Sequence, residues 1–496
     1  MSSSSPIKKY ERHDTPDWTA KENHMHNVNP YLHGALGPSR FENTEEILEV
    51  IEGEVPADLS GVYVRNGANA RYESKGLHHW FDGDGMLHAL CFKGGSASYR
   101  NRWIRTSHFN MESEAQKSLW PGYAMNRPDP DAPKGGGCDF SLKDGSNTDV
   151  VWHNGALITT FYQTGIPYRV NPLTLETEGQ ETFSSQLPCQ MSAHNKVDDC
   201  TGEMLFFDYN MEEPYMSYGV ADKNGTLTNY VEIPLPGPRL PHDMAISENY
   251  SILMDLPLYW GKGGHSLRFH KEETARFAVI PRHGKQQDIM WFEAKPCYIY
   301  HVINAYEEGD LIIMDGCRQS DPYIPRKPED TMIDRMVSAG TWIDAKLYRW
   351  EFNLKTGETN EYSVDSETNI EFPMMNLDGY QGKKYRYAYA TLMPDDSMIN
   401  FSGIYKYDFE TGNRQIFEFP EGTCASETPF APADNAQAED DGYLMCYLTD
   451  GETGTSEAQI FDARDIESGP VCRLRLPARV PVGFHSCWVN AEKAFG

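Results

Sequence analysis

An all-β fold, closed either as a propeller or as a barrel, is predicted for this 496-residue chain from three observations. Short β-branched and aromatic runs alternate with Gly, Asn and Asp turns from about residue 50 to the C-terminus, the signature of successive hairpins. Helical periodicity appears only in brief stretches. No Pro/Gly/Ser-rich linker or block of charge divides the sequence, so residues 28–496 read as one closed domain behind a polar, mobile N-terminal tail, 1–27.

The tail opens with MSSSSPIKKYERHDTPDW and has no apolar run that could serve as a signal peptide. FENTEEILEVI (41–51) spaces its apolar side chains as a short helix would, as do SEAQKSL (113–119) and PEDTMIDRMV (328–337). LSGVYVRNG (59–67) is the first strong strand, and HNGALITTFYQTG, CTGEMLFFDYN and KNGTLTNYVEIP follow, each entered through a Gly turn. EGDLIIMDG, KTGETNEYSVD, KYRYAYATLMP, ETGNRQIFEFP and DDGYLMCYLTD continue the pattern. The last strand, in VPVGFHSCWVN (480–490), is placed to complete the first sheet. The units share no repeat motif such as a Trp-Asp dipeptide.

Lys plus Arg number 44 against 73 for Asp plus Glu, a formal net charge of -29, so the surface field repels nucleic acid and anionic membrane faces. The 10 cysteines include no C-x-x-C pair and no disulfide-like spacing, as expected of a reduced, cytoplasmic protein. No run of 18 apolar residues occurs.

Most of the 16 histidines lie in polar surroundings, as in ENHMHN, PYLHG, HSLRFH and PRHGK, where a solvated loop is the simple reading. His194, His242, His301 and His485 differ, since each begins or ends a short apolar strand. Their wide separation excludes a local chelating motif, so a common site would have to be assembled from different sheets. On spacing alone, four unrelated core histidines are the favoured reading. The run HHWFDGDGMLHAL (78–90) gathers three more histidines and two aspartates and raises the same question of metal ligand or scaffold.

GVYVRNGANA, HHWFDGDGMLHAL, SNTDVVWHNGALI, RLPHDMAIS, YHVINAYEE, IEFPMMN, ASETPFAP and PVGFHSCWV, in this order, resemble the carotenoid cleavage oxygenase family over nearly the whole chain. The resemblance implies a seven-bladed β-propeller with a helix and loop cap over an axial Fe(II), bound by His194, His242, His301 and His485. Four neutral imidazoles leave an octahedral ion two open positions, too few for a bidentate co-substrate beside dioxygen. The electrons that reduce O2 then come from an electron-rich alkene, and the implied reaction is cleavage of a C=C bond into two carbonyl products.

The family backs its ligands with three glutamates, which fix the imidazole tautomers. Two correspond to Glu371 and Glu427. The third usually follows the strand read here as ALITTFYQTG, where no glutamate stands and Phe161, Tyr162 and Gln163 occur instead; His242 thereby loses its acceptor unless Tyr162 or Gln163 substitutes. Thr148 matches a threonine whose methyl group crowds one open iron position. In the family, HHWFDGDGMLH supplies no ligand, so it is expected to be scaffold: DGDG offers the positive-φ positions of a tight turn, and Phe81 reaches toward the substrate cavity, with Phe161 a second candidate there.

Stilbene-cleaving relatives hold a phenolic hydroxyl with a tyrosine and a lysine. Tyr123 resembles that tyrosine, but the strand that should carry the lysine has none; Lys134 and Lys143 are nearby, and the surroundings of Lys143 in LKDGSNTD resemble a structural segment. The expected substrate is therefore a carotenoid or apocarotenoid, and the alternative is a phenolic stilbene or phenylpropenoid of the isoeugenol or 4-vinylphenol type. Aromatics at 12 % and the segment SEAQKSLWPGYAM suit an apolar entrance with shallow membrane contact, although the net charge opposes electrostatic attachment. A propeller that only binds a partner would carry no stoichiometric metal, and a metal-dependent hydrolase would favour carboxylate or mixed ligands.

Overall fold

The computed structural model describes residues 29–122, 129, 131–135, 142–187, 190–260, 267–322, 343–394 and 399–496. The N-terminal tail, PEDTMIDRMV and Tyr123 lie outside the described residues. Seven antiparallel sheets follow one another as the blades of a β-propeller.

Blade 1 comprises Asp149–His153, Ala156–Thr160, Tyr168–Val170 and Thr177–Gln180, and blade 2 Lys196–Val197, Met204–Tyr209, Met216–Ala221 and Leu227–Glu232. Blade 3 is Met244–Ile246, Tyr250–Asp255, Ala275–Pro281 and Met290–Ala294, with a small ribbon, Leu258–Trp260 and Leu267–Phe269, projecting from it. Blade 4 is Tyr298–Glu308, Leu311–Gln319, Ala345–Asn353 and Thr359–Asp365, and blade 5 Ile370–Met374, Tyr387–Leu392, Gly403–Asp408 and Arg414–Glu418. In each, the first strand lies nearest the axis and the last on the rim. The middle strands Met204–Tyr209 and Met216–Ala221 are buried at every position because neighbouring blades cover both faces. Rim strands such as Thr177–Gln180 alternate between exposed and half-buried positions instead.

Blades 6 and 7 close the ring by combining both ends of the chain. In blade 7, Ser486–Asn490 pairs with Gly61–Ala68, with Gly61 opposite Asn490 and Arg65 opposite Ser486. Gly85–Lys93, Ser96–Trp103 and Asn43–Ile47 complete that sheet outward. Blade 6 is built on Gly442–Asp450, Ser456–Asp462 and Pro470–Arg475, and Glu49–Gly53 adds its outermost strand.

The segment FENTEEILEVI is therefore two edge strands and not a helix. Ile47 and Val50 face solvent, at 79 % and 44 % exposure, and of the segment's apolar residues only Leu48 is buried, so their spacing reports no buried helical face; backbone pairing to blades 6 and 7 holds the segment. The helix expected at SEAQKSL starts earlier, as Ser107–Ala115. The Thr106 hydroxyl caps it by accepting the Phe109 N–H at 3.0 Å, and the left-handed backbone of Gln116 (φ 53) stops it before Lys117.

HHWFDGDGMLH is scaffold, but for a different reason than turn conformation. Gly83 has φ -64, and among the described residues neither Gly83 nor Gly85 has a positive φ. What each glycine provides is close approach: a Cβ on Gly83 would meet the Asn69 nitrogen at 2.7 Å, and one on Gly85 the Gly145 and Ser146 carbonyl oxygens, both at 2.7 Å. His79 caps a short turn by accepting the Phe81 N–H at 3.1 Å while Asp82 accepts the His79 N–H at 2.7 Å, and His88 bonds Tyr99 at 2.7 Å. Asp84 pairs with Lys143 at 2.5 Å, and Glu112 binds the same ammonium at 2.7 Å, so Lys143 is a buried tie between this motif and the helix. Lys134 is exposed. The eight described cysteines are all free. No helix among the described residues is long and apolar enough to cross a membrane.

Candidate metal centre

Because first strands run beside the axis, side chains at their beginnings converge there. His194 precedes Lys196–Val197, His242 precedes Met244–Ile246, His301 lies in Tyr298–Glu308, and His485 precedes Ser486–Asn490. Although they come from four different blades, neighbouring ring centroids are separated by only 4.5 Å (His194 and His485) to 5.2 Å (His242 and His301). Ligand nitrogens of His194, His301 and His485 all lie within 4.8 Å of one another. Nε2 of His194 and of His301 is buried without a hydrogen-bond partner, which in a protein interior calls for a ligand. Converging imidazole nitrogens with unused lone pairs suit a transition metal and not a hard, oxygen-loving cation.

Backbone strain is stored at one of these imidazoles and at an aromatic residue packed on two others. His194 (φ 63) and Phe372 (φ 50) occupy the left-handed region, unfavourable for a bulky side chain. Phe372 stacks on His485 and tilts against His301, both at 4.8 Å between centroids, and Tyr300 meets His242 edge-on at 4.9 Å. Phe372 and Tyr300 escape sequence reasoning, although they adjoin Glu371 and His301 in the chain. Burial, reinforced by the neighbouring imidazoles, holds His194, His242 and His301 well below the usual histidine range, so they stand as neutral donors. At His485 burial acts in the same direction but Glu427 overcomes it and raises the value.

The two glutamates picked out in the sequence sit behind these rings. Glu371, fully buried, bonds His301 Nδ1 and also accepts the Phe372 N–H at 2.6 Å. Burial pushes its carboxyl up to about 8, and a cation at the far side of His301 would favour the ionised form. Glu427 Oε1 lies 2.9 Å from His485 Nδ1, while its Oε2 accepts the Ser486 N–H at 2.6 Å and the Ser486 hydroxyl at 2.8 Å. Every neighbour thus donates to this carboxylate, and Glu427→Gln would turn one acceptor into a donor. We expect that variant to lose about 10- to 100-fold in metal affinity, read by competition with a chelator. Wild-type affinity would make Glu427 a packing residue only.

For His242 the third acceptor is missing. Its Nδ1 has no hydrogen-bond partner among the described residues, so neither Tyr162 nor Gln163 takes that place. The Tyr162 ring instead lies on His242 at 5.2 Å. Thr148 is buried, its hydroxyl bonded to Asn147 Oδ1 at 3.1 Å and accepting the Tyr162 N–H at 3.1 Å, while its backbone carbonyl accepts the His485 N–H at 3.2 Å. Phe81 and Phe161 both pack against Tyr162, at 5.3 and 6.0 Å. An axial cavity of about 180 Å³ reaches His194, His301 and His485 along the first strands.

The profile of the family described as retinal pigment epithelial membrane protein matches residues 36–490. The chain belongs to the carotenoid cleavage oxygenase family. Within it, the chain is 34 % identical over 498 residues to a carotenoid 9,10(9',10')-cleavage dioxygenase of Crocus sativus, covering 93 % of this chain and 89 % of that protein. It is 29 % identical to an isoeugenol monooxygenase of Pseudomonas nitroreducens, covering 93 % and 98 %. Among solved structures, the lignostilbene dioxygenase of Pseudomonas brassicacearum superposes with a TM-score of 0.80 at 27 % identity over 93 % of this chain and 99 % of that one. A variant apocarotenoid oxygenase of Synechocystis gives a TM-score of 0.77 at 25 % identity, covering 91 % and 97 %. As a carotenoid cleavage oxygenase the chain is an oxidoreductase that cleaves carbon–carbon double bonds, and its propeller is the family's.

Proposed function

We propose that His194, His242, His301 and His485 hold Fe(II), and that the enzyme uses O2 to cleave a carotenoid or apocarotenoid into two carbonyl products. The observation that carries this is the convergence of four imidazoles from four blades, two with unused buried Nε2 atoms and two backed by glutamates. The iron would supply the site at which O2 and an electron-rich alkene react. Glu371 and Glu427 orient His301 and His485, the Thr148 methyl narrows the space beside the metal, and Phe81 and Phe161 lend apolar surface around Tyr162.

The polyene reading is supported by the 34 % identity to the Crocus sativus enzyme and by the lack of a lysine in Ala156–Thr160. The shape of the lignostilbene dioxygenase and the isoeugenol monooxygenase relative favour a phenolic alkene as second reading. Free cysteines fit a reducing, cytoplasmic setting, with shallow membrane contact at the substrate entrance.

A product assay against carotenoids, apocarotenals, stilbenes and 4-hydroxyphenyl propenes separates the two. On a polyene, Tyr123→Phe should leave kcat/KM near wild type, because no substrate oxygen meets the lost hydroxyl. On a phenolic alkene the same change should cost about 1.5 to 3 kcal/mol, or about 10- to 150-fold. Turnover restricted to phenolic alkenes, with a large Tyr123→Phe defect, would overturn the polyene reading.

A further inference from the structure

We infer that Asp149 is a positioning residue for His194, replacing within this centre the carboxylate missing behind His242. This rests on the four-histidine reading above. Asp149 and His194 belong to adjacent blades and meet at the axis. Oδ2 of Asp149 accepts the His194 N–H at 3.0 Å and also faces His194 Nδ1 at 3.7 Å, while Oδ1 accepts the Val150 N–H at 2.7 Å. One buried carboxylate therefore holds the left-handed backbone of His194 and faces its ring, short of a hydrogen bond to it. Nε2 on the opposite edge of that ring is the atom without a partner, so Asp149 stands where an acceptor must stand if Nε2 is to bind metal.

Two further facts point to this residue. Among the described residues Asp149 has no lysine or arginine partner, whereas Asp243, the other carboxylate close by, is paired with Lys196 at 2.7 Å. Its charge is therefore left for the histidine. Counted together, Glu371, Glu427 and Asp149 supply three carboxylates to the four imidazoles, the family's number, but assigned to His301, His485 and His194. An approach of about half an ångström brings Nδ1 and Oδ2 into hydrogen-bond range, and metal binding at Nε2 would draw Nδ1–H toward the carboxylate by polarising the ring.

The test uses the full chain, stripped of metal and titrated anaerobically with Co(II), whose visible bands report coordination. Asp149→Asn should raise the Co(II) dissociation constant by about 10- to 100-fold and alter the bands, alongside Glu427→Gln as a reference. The increment in melting temperature on adding Co(II) should shrink, whereas a purely structural role would lower the metal-free melting temperature and leave that increment and the affinity intact. Wild-type affinity in Asp149→Asn, with Glu427→Gln weakened, overturns the inference alone. Failure of the wild type to bind Co(II) overturns the four-histidine reading and this inference with it. Should Asp149→Asn not fold, a crystal structure of the Co(II)-loaded wild type decides: His194 Nδ1 within about 3.2 Å of Asp149 Oδ2 is expected, and a gap above about 3.5 Å refutes it.

Discussion

Replacing His301 with alanine should yield a folded, β-rich protein that retains neither metal nor activity. His301 joins a ring of imidazoles whose neighbours lie 4.7 Å (His485) and 5.2 Å (His242) away, so its loss opens the ligand set on one side. The lost ring also leaves Glu371 without its partner. Burial already pushes that carboxyl up to about 8, so it can take up a proton instead of standing as a bare charge, and the Phe372 N–H still bonds it at 2.6 Å. The fold therefore survives where the centre does not. Elemental analysis and circular dichroism on the same sample read both halves, and full metal occupancy in His301→Ala would remove this histidine from the centre.

Lys143→Met should destabilise the protein by about 3–5 kcal/mol, because two buried carboxylates lose their common cation. Asp84 and Glu112 are almost fully enclosed, and Lys143 reaches them at 2.5 and 2.7 Å. Backbone donors at Arg71 (3.0 Å to Asp84) and Leu119 (2.8 Å to Glu112) remain, but neither brings a charge. A loss of that size is a large part of the net stability of a typical domain. Urea unfolding measures it. Unchanged stability together with a raised KM for a phenolic alkene would make Lys143 the substrate lysine instead of a tie within the cap.

The propeller and its histidines were legible for different reasons. Hairpin signals repeat along the chain because middle strands such as Met204–Tyr209 and Met216–Ala221 are buried on both faces and are joined through turns rich in Gly, Asn and Asp. The histidine set was legible only through motif order, since nothing local links His194 to His485 across the ring. What stayed hidden depends on approach between distant residues. Gly83 and Gly85 looked like turn glycines, whereas the constraint is backbone from Asn69 and from Gly145 within 2.7 Å of where a Cβ would sit. Residues 41–51 space their apolar side chains as a helix would, but edge strands held by backbone pairing need no buried face, and only Leu48 among these side chains enters the core. Nothing local in SNTDVVWHNGALI ties Asp149 to His194; that it lies 3.7 Å from His194 Nδ1 follows from the closure of blades 1 and 2 around the axis and from a left-handed turn at His194.

As proposed, the four-histidine centre inserts both atoms of O2 across one C=C bond. Labelling tests it directly: Fe(II)-loaded protein is given whichever alkene the product panel identifies under ¹⁸O2 in unlabelled water, and the carbonyl products are reduced at once to alcohols to stop exchange. One ¹⁸O in each of the two products is the expected result. Label in only one product, with the other oxygen drawn from water under conditions where standards do not exchange, would contradict the account.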